Sequence, residues 1–145
     1  MGLRHLILFV HLTGIVFWVG GMVFIRVCLA PSALALGIWM EVLARFFSFS
    51  RIAIALILIS GISRLLDPQI DTLPLAWQLM AVTGTAAIAV FASVGMGAWA
   101  RLCTAARGGD KAHIQTAMNR LGRCFDIVLV LVTLTATVAT FGLGI

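Results

Sequence analysis

The sequence predicts an all-α integral membrane protein that folds as a four-helix bundle. Of its 145 residues, 62% are hydrophobic and only 10% are charged, and the mean hydropathy is +1.15. That composition leaves too little polar surface for a soluble globule. The apolar residues also gather in four stretches, and about 20 residues of helix cross roughly 30 Å of hydrocarbon. Residues 1–145 are therefore expected to form one transmembrane domain in contact with the lipid bilayer.

Each apolar stretch predicts one membrane helix. The four helices are expected at about residues 3–27, 46–66, 75–100 and 127–145. A cleavable signal peptide is the alternative for the first stretch, because Ala33 and Ala35 form a small-residue pair, but the apolar run is long for such a segment. The connections at 37–50 and 112–123 place apolar residues at helical spacing beside charged ones, which predicts short amphipathic cytoplasmic links.

The distribution of charge predicts the orientation in the membrane. If the helices alternate in direction, Arg4 and Arg64 lie on one side and the other eight basic residues lie on the opposite side. Cytoplasmic connections are rich in Lys and Arg, so both termini are expected in the periplasm of a bacterial inner-membrane protein. Asp67 and Asp71, next to two prolines, predict a short external loop. Membrane topology thus accounts for the net charge of +5, and no nucleic-acid partner is expected.

Three side chains of the first helix share a narrow stripe at membrane depth. At about 100° per residue, His11, Trp18 and Met22 fall on one face. An ionisable side chain in hydrocarbon is costly and marks a functional site by default. The structural alternative is that His11 bonds a backbone carbonyl or a hydroxyl inside the protein.

Soft ligands make copper the first metal to consider. Neutral imidazole and thioether sulfur suit Cu(I), so His11 with Met22, Met80 or Met96 predicts a metal path, and His5 is a candidate entry ligand at the outer end. Methionine also fills apolar interiors, which is the alternative for each of these methionines.

Thiols and small residues add weaker indications. Cys28, Cys103 and Cys124 are expected at the cytoplasmic ends of their helices, where three thiols at one depth would receive Cu(I); unrelated buried thiols are the alternative. Hydroxyls in membrane helices most often bond their own backbone, so the Ser and Thr side chains of the second and fourth helices predict interhelical packing, with a polar-lined cavity as the alternative. Gly95 and Gly97 predict a close helix contact.

The chain resembles the copper-resistance protein D family of small bacterial membrane proteins. The resemblance begins with HLTGIVFWVGGM at residues 11–22, followed by Arg26 and Pro31. Shorter matches follow in order along the chain: ARFF at 44–47, SG at 60–61, WQLM at 77–80 and LGR at 121–123. The resemblance implies a four-helix inner-membrane protein of copper homeostasis, with periplasmic copper-binding proteins as expected partners. Relatives commonly carry a histidine where this chain has Gln78, and an amide is a poor ligand for a soft metal.

A more distant resemblance links the chain to the membrane protoporphyrinogen oxidases, which are associated with haem b. Their first helix also pairs a histidine with a tryptophan seven residues on, as His11 and Trp18 do. That family carries a lysine near the start of its third helix, whereas Lys111 is the only lysine of this chain and lies in a predicted connection.

The haem alternative implies a different set of binding residues. It implies His11, Trp18 and Gln78 near the cofactor, with Arg45 and Arg51 available to the propionates. One deep histidine leaves the second axial position to a methionine or to His11 of a second copy in a homodimer. A haem-dependent oxidoreductase is then the expected enzyme class. A structural or assembly protein without a cofactor is the third hypothesis.

Overall fold

The computed structural model describes residues 2–28, 36–66 and 75–141, and within these ranges it contains helices and no strand. The helices are α1 (Leu3–Cys28), α2 (Leu36–Leu65), α3 (Leu75–Val90), a short π-helix (Phe91–Gly95), α4 (Met96–Gly108) and α5 (Lys111–Phe141). Four helical stretches of the described residues are long and apolar enough to cross a membrane, with α3, the π segment and α4 forming one of them. The predicted all-α membrane class is confirmed.

The helix boundaries differ from those expected at the two links. The segments 37–50 and 112–123 are helical, as predicted. Each is the first part of a longer helix rather than a separate link, because α2 runs unbroken from Leu36 and α5 runs unbroken from Lys111. Hydropathy marks where an apolar segment ends, whereas a helix ends where proline, glycine or a cap breaks its backbone hydrogen bonds. No proline interrupts either helix. The predicted outer loop with Asp67 and Asp71, and the pair Ala33 and Ala35, lie outside the described residues.

Large apolar side chains cover the outer faces of the helices. On α1, Phe9, Val16 and Phe17 are each about two thirds exposed or more. Exposed apolar side chains of this size and number would aggregate a soluble protein, and they are the ordinary surface of a membrane helix in lipid. The structure therefore supports the predicted contact with the bilayer.

The chain divides into two compact units, Met1–Pro74 and Leu75–Ile145. In the first unit α1 packs antiparallel on α2. A Cβ atom added to Gly14 would lie 2.9 Å from the Ile57 side chain, and one added to Gly21 would lie 2.8 Å from the Phe46 ring. These glycines let the two helices approach closely. Inside a membrane, close packing of this kind drives helix association in place of the hydrophobic effect.

In the second unit the continuous helical run from α3 to α4 packs antiparallel on α5. The Phe91 and Phe125 rings stack with their centroids 6.3 Å apart. Thr135 donates a hydrogen bond of 2.7 Å to the Thr83 hydroxyl. Most other hydroxyls bond their own backbone, as predicted; Thr133, for example, donates to the Leu129 carbonyl.

A π-helical turn interrupts the run between α3 and α4. It spans Phe91–Gly95, and both of these residues are buried. The Cys124 thiol of α5 donates a weak hydrogen bond of 3.8 Å to the Val90 carbonyl at the start of this turn. A Cβ atom on Gly95 would lie 3.2 Å from the Cys124 sulfur, so the predicted close contact is confirmed there, whereas Gly97 has open space. The wider turn and the missing Cβ together admit the thiol against the helix.

The turn between α4 and α5 combines a helix stop with a helix start. Gly109 adopts φ 68°, the left-handed conformation that ends a helix at little cost for glycine. The Asp110 carboxylate accepts hydrogen bonds from the backbone N–H groups of Ala112 and His113 and caps α5. The His113 side chain donates a further hydrogen bond to the same carboxylate, which lowers the pKa of Asp110 below its ordinary value and keeps it ionised at neutral pH.

Candidate functional site

His11 is held by the opposite helix of its own unit. Its Nδ1 atom lies 3.1 Å from the carbonyl oxygen of Ile57 and 2.9 Å from the hydroxyl oxygen of Ser60. The imidazole packs against Gly61, where an added Cβ would sit 3.4 Å from the ring carbon Cε1. α1 therefore presents the histidine, and one turn of α2 receives it.

The hydrogen-bond partners determine which ring nitrogen carries the proton. The Ser60 hydroxyl lies 2.5 Å from the Leu56 carbonyl and donates to its own helix. The Ile57 carbonyl can only accept, so Nδ1 of His11 is the donor in this cluster. The other ring nitrogen, Nε2, then carries a lone pair. A histidine whose Nδ1–H is held by a carbonyl is arranged as metal-ligating histidines usually are.

Sequence reasoning anticipated the environment of His11 but missed its two partners. The structural alternative named a carbonyl or a hydroxyl, and both kinds of group bond Nδ1. Ser60 was expected to take part in interhelical packing, and its hydroxyl both bonds its own helix and contacts His11. The sequence feature that indicates these partners is the pair of small residues Ser60-Gly61 on α2, since a helix needs small residues where a large side chain of a neighbouring helix inserts.

Trp18 and Met22 continue the same face of α1, as the sequence predicted, and both are buried. The contacts of Gly14 and Gly21 set an antiparallel register that places Trp18 at the level of Ser50. Ser50 is 2% exposed, and its hydroxyl has no hydrogen-bond partner among the described residues. The buried face between α1 and α2 thus holds polar atoms at two separate depths, near Ser60 and near Ser50.

The predicted ligands do not gather around one point. Met22 follows His11 by three helical turns, so about 16 Å of helix separates them, and no single ion reaches both. Met80 and Met96 are half-buried in the second unit, with about 24 Å of helix between them. His5 is exposed and lies about 9 Å along α1 from His11, roughly 120° around the helix. Within either unit the structure separates these residues rather than clustering them.

The arginines expected near haem propionates are also displaced from His11. Arg45 is exposed and pairs with Glu41 at 2.6 Å on the same helix. It precedes Ile57 by 12 residues, which is about 18 Å of helix, and the exposed Arg51 precedes Ile57 by about 9 Å. Gln78 is an exposed residue of α3 in the second unit. Of the predicted haem contacts in the first unit, only Trp18 shares the buried face with His11.

The predicted thiol cluster is not formed by the two cysteines whose side chains are described. Cys124 packs against Val90 and Gly95, whereas Cys103 lies on α4, more than two turns further along, or about 12 Å of helix. The side chain of Cys28 lies outside the described residues. No group of three or more His, Cys, Asp or Glu side chains in the described ranges is arranged to hold a metal ion.

The fold and the site define a multi-pass all-α membrane protein with one imidazole anchored inside its first helix pair. No protein-family model matches the chain, and neither the curated proteins nor the solved structures contain a match to it.

Proposed function

We propose that this chain is a bacterial inner-membrane protein of copper homeostasis in which His11 binds copper in transit. The anchoring of His11 by Ile57 and Ser60 is the observation that carries the proposal, because it holds the ring proton on Nδ1 and leaves the lone pair on Nε2. Imidazole nitrogen is a good ligand for copper, and the resemblance of residues 11–22 to the copper-resistance protein D family supports the same assignment.

The separation of the methionines defines the kind of copper binding. Met22 is fully buried and is separated from His11 by about 16 Å of helix. It therefore binds copper at a second position along this face of α1, and does not contact the ion at His11. A copper position with one ligand from α1 binds the ion weakly and releases it readily, which suits transfer better than storage. Periplasmic copper-binding proteins are the proposed donors or acceptors, since the charge distribution favours a periplasmic side for both termini.

Haem b is the second candidate, and one observation favours it. A single anchored imidazole is sufficient for a five-coordinate haem iron, whereas a stable copper site needs further ligands. His11 Nε2 would be the axial ligand, and the haem would supply redox chemistry. Arg45 is too far along α2 to hold a propionate of that haem, so Arg51 is the nearer of the two predicted arginines.

The test uses the full-length protein purified in mild detergent and compares His11→Ala with His113→Ala. His113 is an exposed residue in the first turn of α5 and controls for the loss of any imidazole. A reduced sample is titrated with Cu(I) against a colorimetric chelator, and circular dichroism checks that each variant keeps its helices. We expect saturable copper binding in the wild type and in His113→Ala and its loss in His11→Ala. Equal copper stoichiometry in all three proteins would contradict the proposal.

A reduced-minus-oxidised visible spectrum of the same wild-type sample separates the two candidates. Sharp b-type bands that disappear in His11→Ala would replace copper with haem. A colourless protein that binds no copper would leave a structural or assembly role as the function.

A further inference from the structure

The second unit contains a cleft between α4 and α5 beside the turn that joins them. Its volume is about 570 Å³, and its walls include alanines of both helices, among them Ala100, Ala105 and Ala117. A volume of this size is in the ordinary range for a small-molecule site. The residues that line the cleft are separated from those of the His11 site by at least about 40 residues of sequence. The cleft takes no part in the proposed function.

Two arginines face this cleft, one from each helix. Arg101 belongs to α4 and Arg120 to α5, and both line the cavity. The turn at Gly109 brings the two helices back on themselves, so residues equally distant from it lie at similar levels, and Arg101 and Arg120 are 8 and 11 residues from it. Like charges that line one cleft repel each other unless an anion lies between them.

No protein group in the described ranges neutralises this pair. Neither arginine forms a salt bridge there, and the ion pair of this region joins Asp110 to His113. Asp110 is the one carboxylate that lines the cleft, and it already accepts hydrogen bonds from two backbone N–H groups and from the His113 ring. Asp110 also sits at the turn, about 14 to 15 Å along the helices from the arginines.

The threonines of the cleft do not supply donors for a ligand. Thr104 donates its hydroxyl hydrogen to the Ala100 carbonyl, and Thr116 donates to the Ala112 carbonyl. The donors that remain for an anionic ligand are therefore the guanidinium groups, which bind phosphate oxygens in a bidentate manner.

The position of the arginines along the chain indicates the source of the anion. Residues 75–100 carry no charged side chain, and Arg101 is the first charge after them. The end of an apolar span coincides with the headgroup layer of a bilayer, and basic pockets between membrane helices at this depth bind anionic headgroups. Residues 101–123 hold five basic side chains and one acidic side chain, which raises the local concentration of anionic lipid.

We propose that the cleft between α4 and α5 binds an anionic phospholipid, with its phosphate between Arg101 and Arg120 and its glycerol and upper acyl chains against the alanine walls. A bound lipid would fill a space that the two helices leave open and would offset the repulsion between the two guanidinium groups.

The test measures lipid binding to the full-length protein by native mass spectrometry from mild detergent. Phosphatidylglycerol and phosphatidylcholine are added in equal amounts, and a parallel sample contains millimolar inorganic phosphate. The test variant is Arg101→Gln with Arg120→Gln. The control variant, Arg107→Gln with Arg123→Gln, removes the same net charge from exposed positions that do not line the cleft.

We expect the wild type and the control to prefer phosphatidylglycerol, and we expect that preference to fall about thirtyfold in the test variant, because it lacks both guanidinium groups that hold the headgroup. An equal fall in both variants would overturn the proposal in favour of diffuse surface charge. Displacement of the lipid by inorganic phosphate would overturn it in favour of a phosphate-ion site. A wild type without lipid preference would overturn it whatever the variants do, including one that fails to fold.

Discussion

At the scale of single residues, the site depends on how His11 is held rather than on how many ligands surround it. The Ile57 carbonyl and the Ser60 hydroxyl both contact Nδ1, so the ring is oriented by two groups of one helical turn. Because Ser60 also bonds the Leu56 carbonyl, its hydroxyl is itself oriented. Groups that hold the non-ligating nitrogen of a histidine in this way orient the ring and raise its basicity.

We expect Ser60→Ala to weaken copper binding at His11 by about tenfold, because groups that orient a ligating histidine typically contribute 10- to 100-fold in affinity. The measurement is the Cu(I) titration described above. Ser63→Ala is the matched control, since Ser63 is exposed and its hydroxyl bonds only the Ile59 carbonyl of its own helix. Identical copper affinities in the two serine variants would show that Ser60 does not position His11.

At the scale of secondary-structure elements, each unit depends on glycines at helix contacts. Gly14 and Gly21 admit α2 against α1, and Gly95 admits the Cys124 thiol of α5. The two cases differ in what a methyl group would meet. At Gly14 the neighbours include the Ala53 backbone carbonyl, which cannot move away, whereas at Gly95 the neighbour is a side chain.

We expect Gly14→Ala to lower the free energy of unfolding by about 1–3 kcal/mol, as overpacking typically does. An added Cβ would lie 3.2 Å from the Ala53 carbonyl oxygen and 2.9 Å from Ile57. Gly20→Ala is the control, because its Cβ has nothing within 4 Å and its effect should stay within about 1 kcal/mol. The measurement is denaturant unfolding in detergent followed by circular dichroism, and equal stability of the two variants would contradict the close packing.

We expect Gly95→Ala to destabilise the second unit by about 1 kcal/mol through the contact with the buried Cys124 sulfur. Removing that sulfur should relieve the contact, so the double variant Gly95→Ala with Cys124→Ala should lose less stability than the two single variants added together. Gly97→Ala, with open space around its Cβ, serves as the control. Strictly additive losses would show that the π-helical turn does not depend on this pair.

At the scale of the whole molecule, four membrane-length helices and the excess of basic residues on one side lead to a single expected orientation. The turn at Gly109 lies between Arg107 and Lys111, where basic residues are dense. The positive-inside rule therefore predicts that this turn lies in the cytoplasm.

We expect alkaline phosphatase fused after Ile145 to be active, since this reporter folds in the periplasm, and the same reporter inserted at Gly109 to be inactive. Green fluorescent protein at the two positions should report the opposite. Membrane-fraction immunoblots control for expression of each fusion. The reverse pattern of activity would overturn the proposed orientation of both termini.

The fold class and most of the helical content follow from the amino-acid sequence alone. Composition and four apolar stretches suffice for that, because a helix is the only spanning structure that satisfies its own backbone hydrogen bonds within a single segment. The stripe of His11, Trp18 and Met22 was also predictable, since the positions of residues around a helix follow from their spacing alone. The helix starts at 36 and 111 were not, because hydropathy does not report backbone continuity.

The roles of the two His11 ring nitrogens depend on how α1 and α2 pack in the folded protein. Ile57 and Ser60 are 46 and 49 residues away in sequence, and the pairing of distant turns depends on the helix register. That register is set by the glycine contacts of α1 and α2, and in the second unit by the fit of Gly95 to Cys124. Periodicity shows which face of a helix is buried, but it does not show which turn of a neighbour lies opposite, because that choice depends on side-chain shapes that meet only in the folded chain.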